Sequence, residues 1–138
     1  MSQRLLRIAL LVVAGFNAVS AVGGGIGLIA TAGLGLPDEW LDPLPFSSWL
    51  VPGLLLTLVV GGTQVIAVAM HARRRPLALA ASAFSGVTMV IWTYVEVAVL
   101  PEYSFLHTLY LSTGLAQVVL VLLALGVLER RAELPLNA

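Results

Sequence analysis

Glu96 and His107 are the residues of this 138-residue sequence best placed to do chemistry in an apolar setting. Glu96 lies in the run Val-Ile-Trp-Thr-Tyr-Val-Glu-Val-Ala-Val-Leu-Pro, and His107 follows beyond Pro101. An ionisable group at mid-bilayer costs roughly 2.5–3.5 kcal/mol on insertion scales, so a carboxylate in such a run needs a reason to be there. A turn near Pro101 and Glu102 brings positions 96 and 107 to matched depth on two adjacent helices. Trp92 precedes Glu96 by one helical turn and shares its face, and Tyr110 follows His107 in the same way. Met89 and Ser85 continue the first stripe, and Gly114 continues the second. An acid, an imidazole and two aromatic rings can hold a cation, a sterol-like hydroxyl or a quinone headgroup. They can also perform general acid–base chemistry. The competing reading is interfacial anchoring. Trp and Tyr belong in the aromatic belt of a membrane protein, and a Glu near a helix end reaches headgroup water.

These residues must be positioned by membrane helices. The chain is 59% hydrophobic and 10% charged, with a mean hydropathy of +1.01. Soluble domains carry about 25% charged residues, so lipid must solvate most of this surface. Four apolar segments, at about 8–32, 49–70, 77–100 and 104–128, are long enough to cross about 30 Å of hydrocarbon at 1.5 Å per residue. Continuous rather than alternating apolar runs favour helices over strands, and a helix satisfies its own backbone in lipid. The expected fold is all-α: a single domain forming an integral-membrane, antiparallel bundle of four transmembrane helices.

All seven basic residues are arginines. They fall in three clusters: Arg4 and Arg7; Arg73, Arg74 and Arg75; Arg130 and Arg131. The intervening loops hold Asp38, Glu39, Asp42 and Glu102, and no base. The positive-inside rule therefore predicts that both termini and the middle loop are cytoplasmic. The first segment stays apolar too long for an ordinary signal peptide and is read as a retained helix. The outer loop, 33–48, is interrupted by Pro37, Pro43 and Pro45. A short helical turn near Pro37–Leu41 is expected, since Asp38 and Glu39 suit a helix N-terminus. Trp40, Leu41, Leu44 and Phe46 are apolar enough to lie at the interface or fold over the bundle mouth. Among the small residues, Gly23 and Gly27 form a small-xxx-small pair that suits close packing within the bundle or dimerisation.

Asn17, Gln64 and Gln117 are expected at depth as structural polar groups that hydrogen-bond across helices. A polar pathway through Gln64, Gln117 and Glu96 is the sharper alternative. His71, beside the arginine triplet, is expected to be solvated, with the arginines meeting anionic headgroups. The absence of Cys excludes disulfides and thiolate chemistry. The two histidines fall on opposite sides of the membrane and cannot share a metal. No dinucleotide, phosphate-loop, zinc-protease or nucleophile-elbow motif is present, so no metal or cofactor is expected. Nor is there the broad basic surface of a nucleic-acid binder.

Two stretches are familiar together: Pro45-Phe46-Ser47-Ser48-Trp49-Leu50-Val51-Pro52-Gly53-Leu54 and Trp92-Thr93-Tyr94-Val95-Glu96. With the Gly-rich first segment they resemble small, uncharacterised four-helix inner-membrane proteins of actinobacterial type and, more distantly, the DoxX-like membrane proteins. The resemblance implies the fold and a bacterial inner-membrane location, and carries no catalytic residue onto these positions. The function expected from the sequence is non-enzymatic. It is binding of a hydrophobic, lipid-like ligand or a membrane partner through the outer half, at Glu96, His107, Trp92 and Tyr110. Membrane lipids, a homodimer or a larger membrane complex are the expected partners. A small-molecule transporter is one alternative, weakened because the first helix holds Asn17 and no acid. A membrane isomerase using Glu96 and His107 as its acid–base pair is the other.

Overall fold

A computed structural model of the chain describes residues 1–127. Arg130, Arg131 and residue 128 of the expected fourth segment lie outside the described residues. Four long helices form the structure: α1 (Gln3–Ala30), α2 (Leu50–Ala72), α3 (Ala78–Val99) and α4 (Phe105–Ala124). Each is long and apolar enough to cross a membrane, and by that measure the chain is a multi-pass membrane protein. No strand occurs among the described residues. The helices close a ring in which α1 packs on α2 and α4, α2 on α3, and α3 on α4.

The expected segments match these helices to within a few residues except at the start of α1, which begins at Gln3 rather than near residue 8. Hydropathy marks where lipid begins, whereas the helix begins at its cap. The Ser2 side chain accepts from the Leu5 backbone N–H at 3.2 Å, so Arg4 and Arg7 ride on the first two turns. The C-terminus of α1 closes through a left-handed residue, Ala32 (φ 51°). The Gly33 N–H then donates back to the Leu28 carbonyl at 2.8 Å. The same arrangement ends α2: Arg74 is left-handed (φ 51°), and the Arg75 N–H donates to the Met70 carbonyl at 2.9 Å. Both are Schellman caps with a residue other than the usual glycine at the left-handed position.

One feature of α2 has no signal in the hydropathy. Leu55–Gly61 winds as a π-helix between two α-helical stretches. The wider turns occur where α2 meets the glycine face of α1. A Cβ placed on Gly25 would lie 2.6 Å from the Gly53 carbonyl oxygen and 2.0 Å from Thr57 Oγ1. The close approach thus runs through Gly25 and Gly53. The expected Gly23–Gly27 pair does not make it: Gly23 faces open space, and the atoms nearest to a Cβ on Gly27 belong to the Leu34 side chain.

The bundle is apolar outside and carries its buried polar side chains inside, among apolar ones. Val19 is 76% exposed, and Leu58 and Phe84 are each 66% exposed, whereas Asn17, Gln64, Ser82, Ser85 and Gln117 are fully buried. This inversion of the soluble pattern suits a protein whose solvent is lipid. At one end, Gln3 Nε2 donates to the Ala124 carbonyl at 3.2 Å, and Arg7, Arg74 and Arg75 line one cleft with Ala124. The loop between α1 and α2 covers the other end. Its expected helical turn is a 3-10 helix, Asp38–Leu41. Leu41 is buried with Leu28 and Trp49, and Trp40 and Leu44 pack against them. The Trp49 indole donates to Asp38 Oδ1 at 3.2 Å. Trp49 reaches this seat because residue 33 is glycine: a Cβ there would lie 2.5 Å from the Trp49 ring.

Candidate functional site

Beneath that loop lies a cavity of about 470 Å³, within the size range of ligand pockets in proteins. All four helices wall it: Gly24 from α1, Leu56 from α2, Trp92 and Glu96 from α3, His107 and Tyr110 from α4. The loop adds Trp40 and Leu36. The four residues expected from the sequence to form one site therefore share one cavity. The glycine, the leucine and the loop residues had no such expectation. Trp40 alone carried a signal, as an apolar aromatic in a Pro-rich loop. A ligand could enter toward a face that is mostly carbon, with the Glu96–His107 pair as its polar pole.

His107 Nε2 stands 4.0 Å from Glu96 Oε2. That is too long for a direct hydrogen bond. The other ring nitrogen is committed: the Ser104 backbone N–H donates to His107 Nδ1 at 3.0 Å. His107 is at the third position of α4 and reaches back to the residue before the helix, a role Glu or Gln usually fills in a capping box. An N–H can only donate, so Nδ1 is the acceptor and the neutral ring carries its proton on Nε2. The imidazole is held further by the Tyr103 ring, whose centre lies 5.4 Å from its own. The Tyr103 hydroxyl hydrogen-bonds the Thr108 hydroxyl in turn.

Asn17, Gln64 and Gln117 lie elsewhere, in a buried network that joins all four helices. Asn17 Nδ2 donates to Gln117 Oε1 at 3.3 Å. Gln117 Nε2 donates to Gln64 Oε1 at 3.1 Å and to Ser85 Oγ at 2.7 Å. Gln64 Nε2 donates to the Ser85 carbonyl at 3.2 Å, and Thr113 Oγ1 to Asn17 Oδ1 at 2.7 Å. Ser85 Oγ donates to the Ser82 carbonyl at 3.2 Å. His71 Nε2 then meets Ser82 Oγ at 2.7 Å. His71 is therefore not solvated as its arginine neighbours suggested; it is 4% exposed. The small Ser82 on the facing helix leaves room for the ring and supplies its partner.

The network does not reach Glu96. Ala21, Val60 and Met89 form an apolar layer with Leu56, Trp92 and Tyr110 packed on it. On every helix this layer lies about one turn from the network on the cavity side. No hydrogen bond among the described residues links Glu96 to Gln64 or Gln117, so the expected alternative of a polar path through all three is interrupted. No group of three or more His, Asp or Glu side chains converges among the described residues in a way that would hold a metal ion. No known family, curated protein or solved structure matches this chain.

Proposed function

We propose that this is a small integral protein of a bacterial inner membrane that binds a hydrophobic, lipid-like ligand in the cavity between its helices. The four spans run antiparallel with both termini cytoplasmic, so the cavity lies in the outer half. The segregation of arginines supports that orientation, since Arg7, Arg74 and Arg75 line one cleft at the end away from the cavity. The single observation that carries the binding reading is the cavity itself. It is a mostly carbon-lined space whose ionisable groups are two acids, Glu96 and Glu102, and one imidazole, His107, with Glu96 and His107 facing each other. That is the usual make-up of a small-molecule site.

Two details favour binding over the alternatives. The apolar layer of Ala21, Val60 and Met89 separates the cavity from the polar groups deeper in the bundle, which weakens a transporter. The His107 Nδ1 atom is used to cap α4, so the ring cannot take up a second proton without breaking that cap, which weakens an isomerase. The resemblance to DoxX-like membrane proteins is compatible with this reading and adds no residue role. The test is mass spectrometry of the solvent extract of purified protein, wild type beside Glu96→Gln. A compound enriched with the wild type and depleted with the variant supports the reading. Identical extracts containing only bulk phospholipid contradict it.

A further inference from the structure

Glu96 and His107 face each other across a gap that neither closes. Their nearest atoms are 4.0 Å apart, and an oxygen can sit about 2.8 Å from both with an angle near 90° between the two contacts. The gap is chemically asymmetric. His107 presents Nε2–H, because Nδ1 already accepts from the Ser104 N–H. Trp92, one turn before Glu96 on the same cavity wall, also has only a donor to offer. Glu96 is the acceptor that these two donors leave to be matched. The rest of the lining is mostly apolar and aromatic, and its one further charged group is a second acid, Glu102, so an anionic headgroup would meet no countercharge.

We infer that the cavity takes a neutral, apolar alcohol whose single hydroxyl accepts from His107 Nε2–H and donates to a Glu96 carboxylate oxygen. The inference rests on the reading of this cavity as a ligand site and names the ligand's class. An ether or an aldehyde can accept from His107 but has nothing to donate, and so covers the Glu96 oxygen that faces His107 without giving it a donor. An unpaired buried acceptor is costly. A primary amine, cationic at neutral pH, brings no acceptor for His107.

The experiment is a titration of the full chain in detergent with three probes of one carbon skeleton: farnesol, farnesyl methyl ether and farnesal. The readout is intrinsic fluorescence, because Trp40 and Trp92 both line the cavity. The chain has no Lys, which removes the usual amine that would react with the aldehyde. Farnesol is expected to bind saturably at least about tenfold more tightly than either analogue, which corresponds to about 1.4 kcal/mol. Glu96→Leu is expected to abolish that preference, with the ether binding more tightly than to wild type because no acceptor is left unpaired beside it. Equal affinities for farnesol and the ether overturn the inference and leave the cavity a ligand site. Equal affinities for farnesol and farnesal, with the ether weaker, show Glu96 donating and also overturn it. Failure of all three to bind overturns both the inference and the reading of the cavity.

Discussion

Gln117 is the side chain on which the interior depends most. It accepts from Asn17 and donates to both Gln64 and Ser85. Cross-helix hydrogen bonds in membrane proteins average about 0.6 kcal/mol, so Gln117→Leu should cost about 2 kcal/mol. Gln64→Leu, which loses the bonds to Gln117 and the Ser85 carbonyl, should cost less. Unfolding in graded detergent mixtures measures both, and a Gln117 variant as stable as wild type would contradict the network. Thr57 behaves oppositely. Its buried hydroxyl has no partner, so Thr57→Val should be neutral or mildly stabilising in the same measurement. The sequence made the amides legible as glue, because a buried amide in lipid must find a partner. Their partners were not legible, since Ser85 and Thr113 look like ordinary small residues. His71 shows the limit most plainly: three neighbouring arginines suggested water, and Ser82 on another helix decided otherwise.

At the scale of elements, the close packing of α1 on α2 depends on particular glycines, Gly25 and Gly53 among them, rather than on a glycine count. Gly25→Ala places a methyl where the Gly53 carbonyl and Thr57 already sit. It should separate the helices at a cost of at least about 2 kcal/mol. Gly23→Ala meets nothing and should change stability by less than about 1 kcal/mol, in the favourable direction set by helix propensity. Thermal melts of the two variants side by side decide this, and equal effects would contradict the packing. A second expectation concerns the end of α1. Ala32 occupies a left-handed position that glycine fills without steric cost. Ala32→Gly should raise stability by up to about 1 kcal/mol. Helix number and approximate limits were legible because apolar length sets them. Which glycine makes contact was not, because the π-helical Leu55–Gly61 changes the register of α2 against α1 and leaves no trace in hydropathy.

At the scale of the whole molecule, the three arginine clusters fix an expected orientation that the cysteine-free sequence makes simple to test. Glu39→Cys, in the exposed part of the outer loop, should react with a membrane-impermeant maleimide on intact cells. Arg74→Cys should react only after permeabilisation. The reverse pattern would invert the molecule and place the cavity in the inner half. The pairing of Glu96 with His107 was legible because a short turn at Pro101 holds two helices at matched depth. The roof was not, because burial of Trp49 against Gly33 depends on contacts between distant parts of the chain. The cavity beneath this roof is proposed to hold an apolar ligand. The most direct test is native mass spectrometry of wild type beside Gly24→Leu. Gly24 lines the cavity, and a Cβ there meets only the Leu56 side chain at an ordinary 3.4 Å, so a side chain can start from this position without a backbone clash. A discrete excess mass is expected on the wild type and is expected to be missing from a folded variant. The same bare mass for both, or the same excess mass on both, would contradict it.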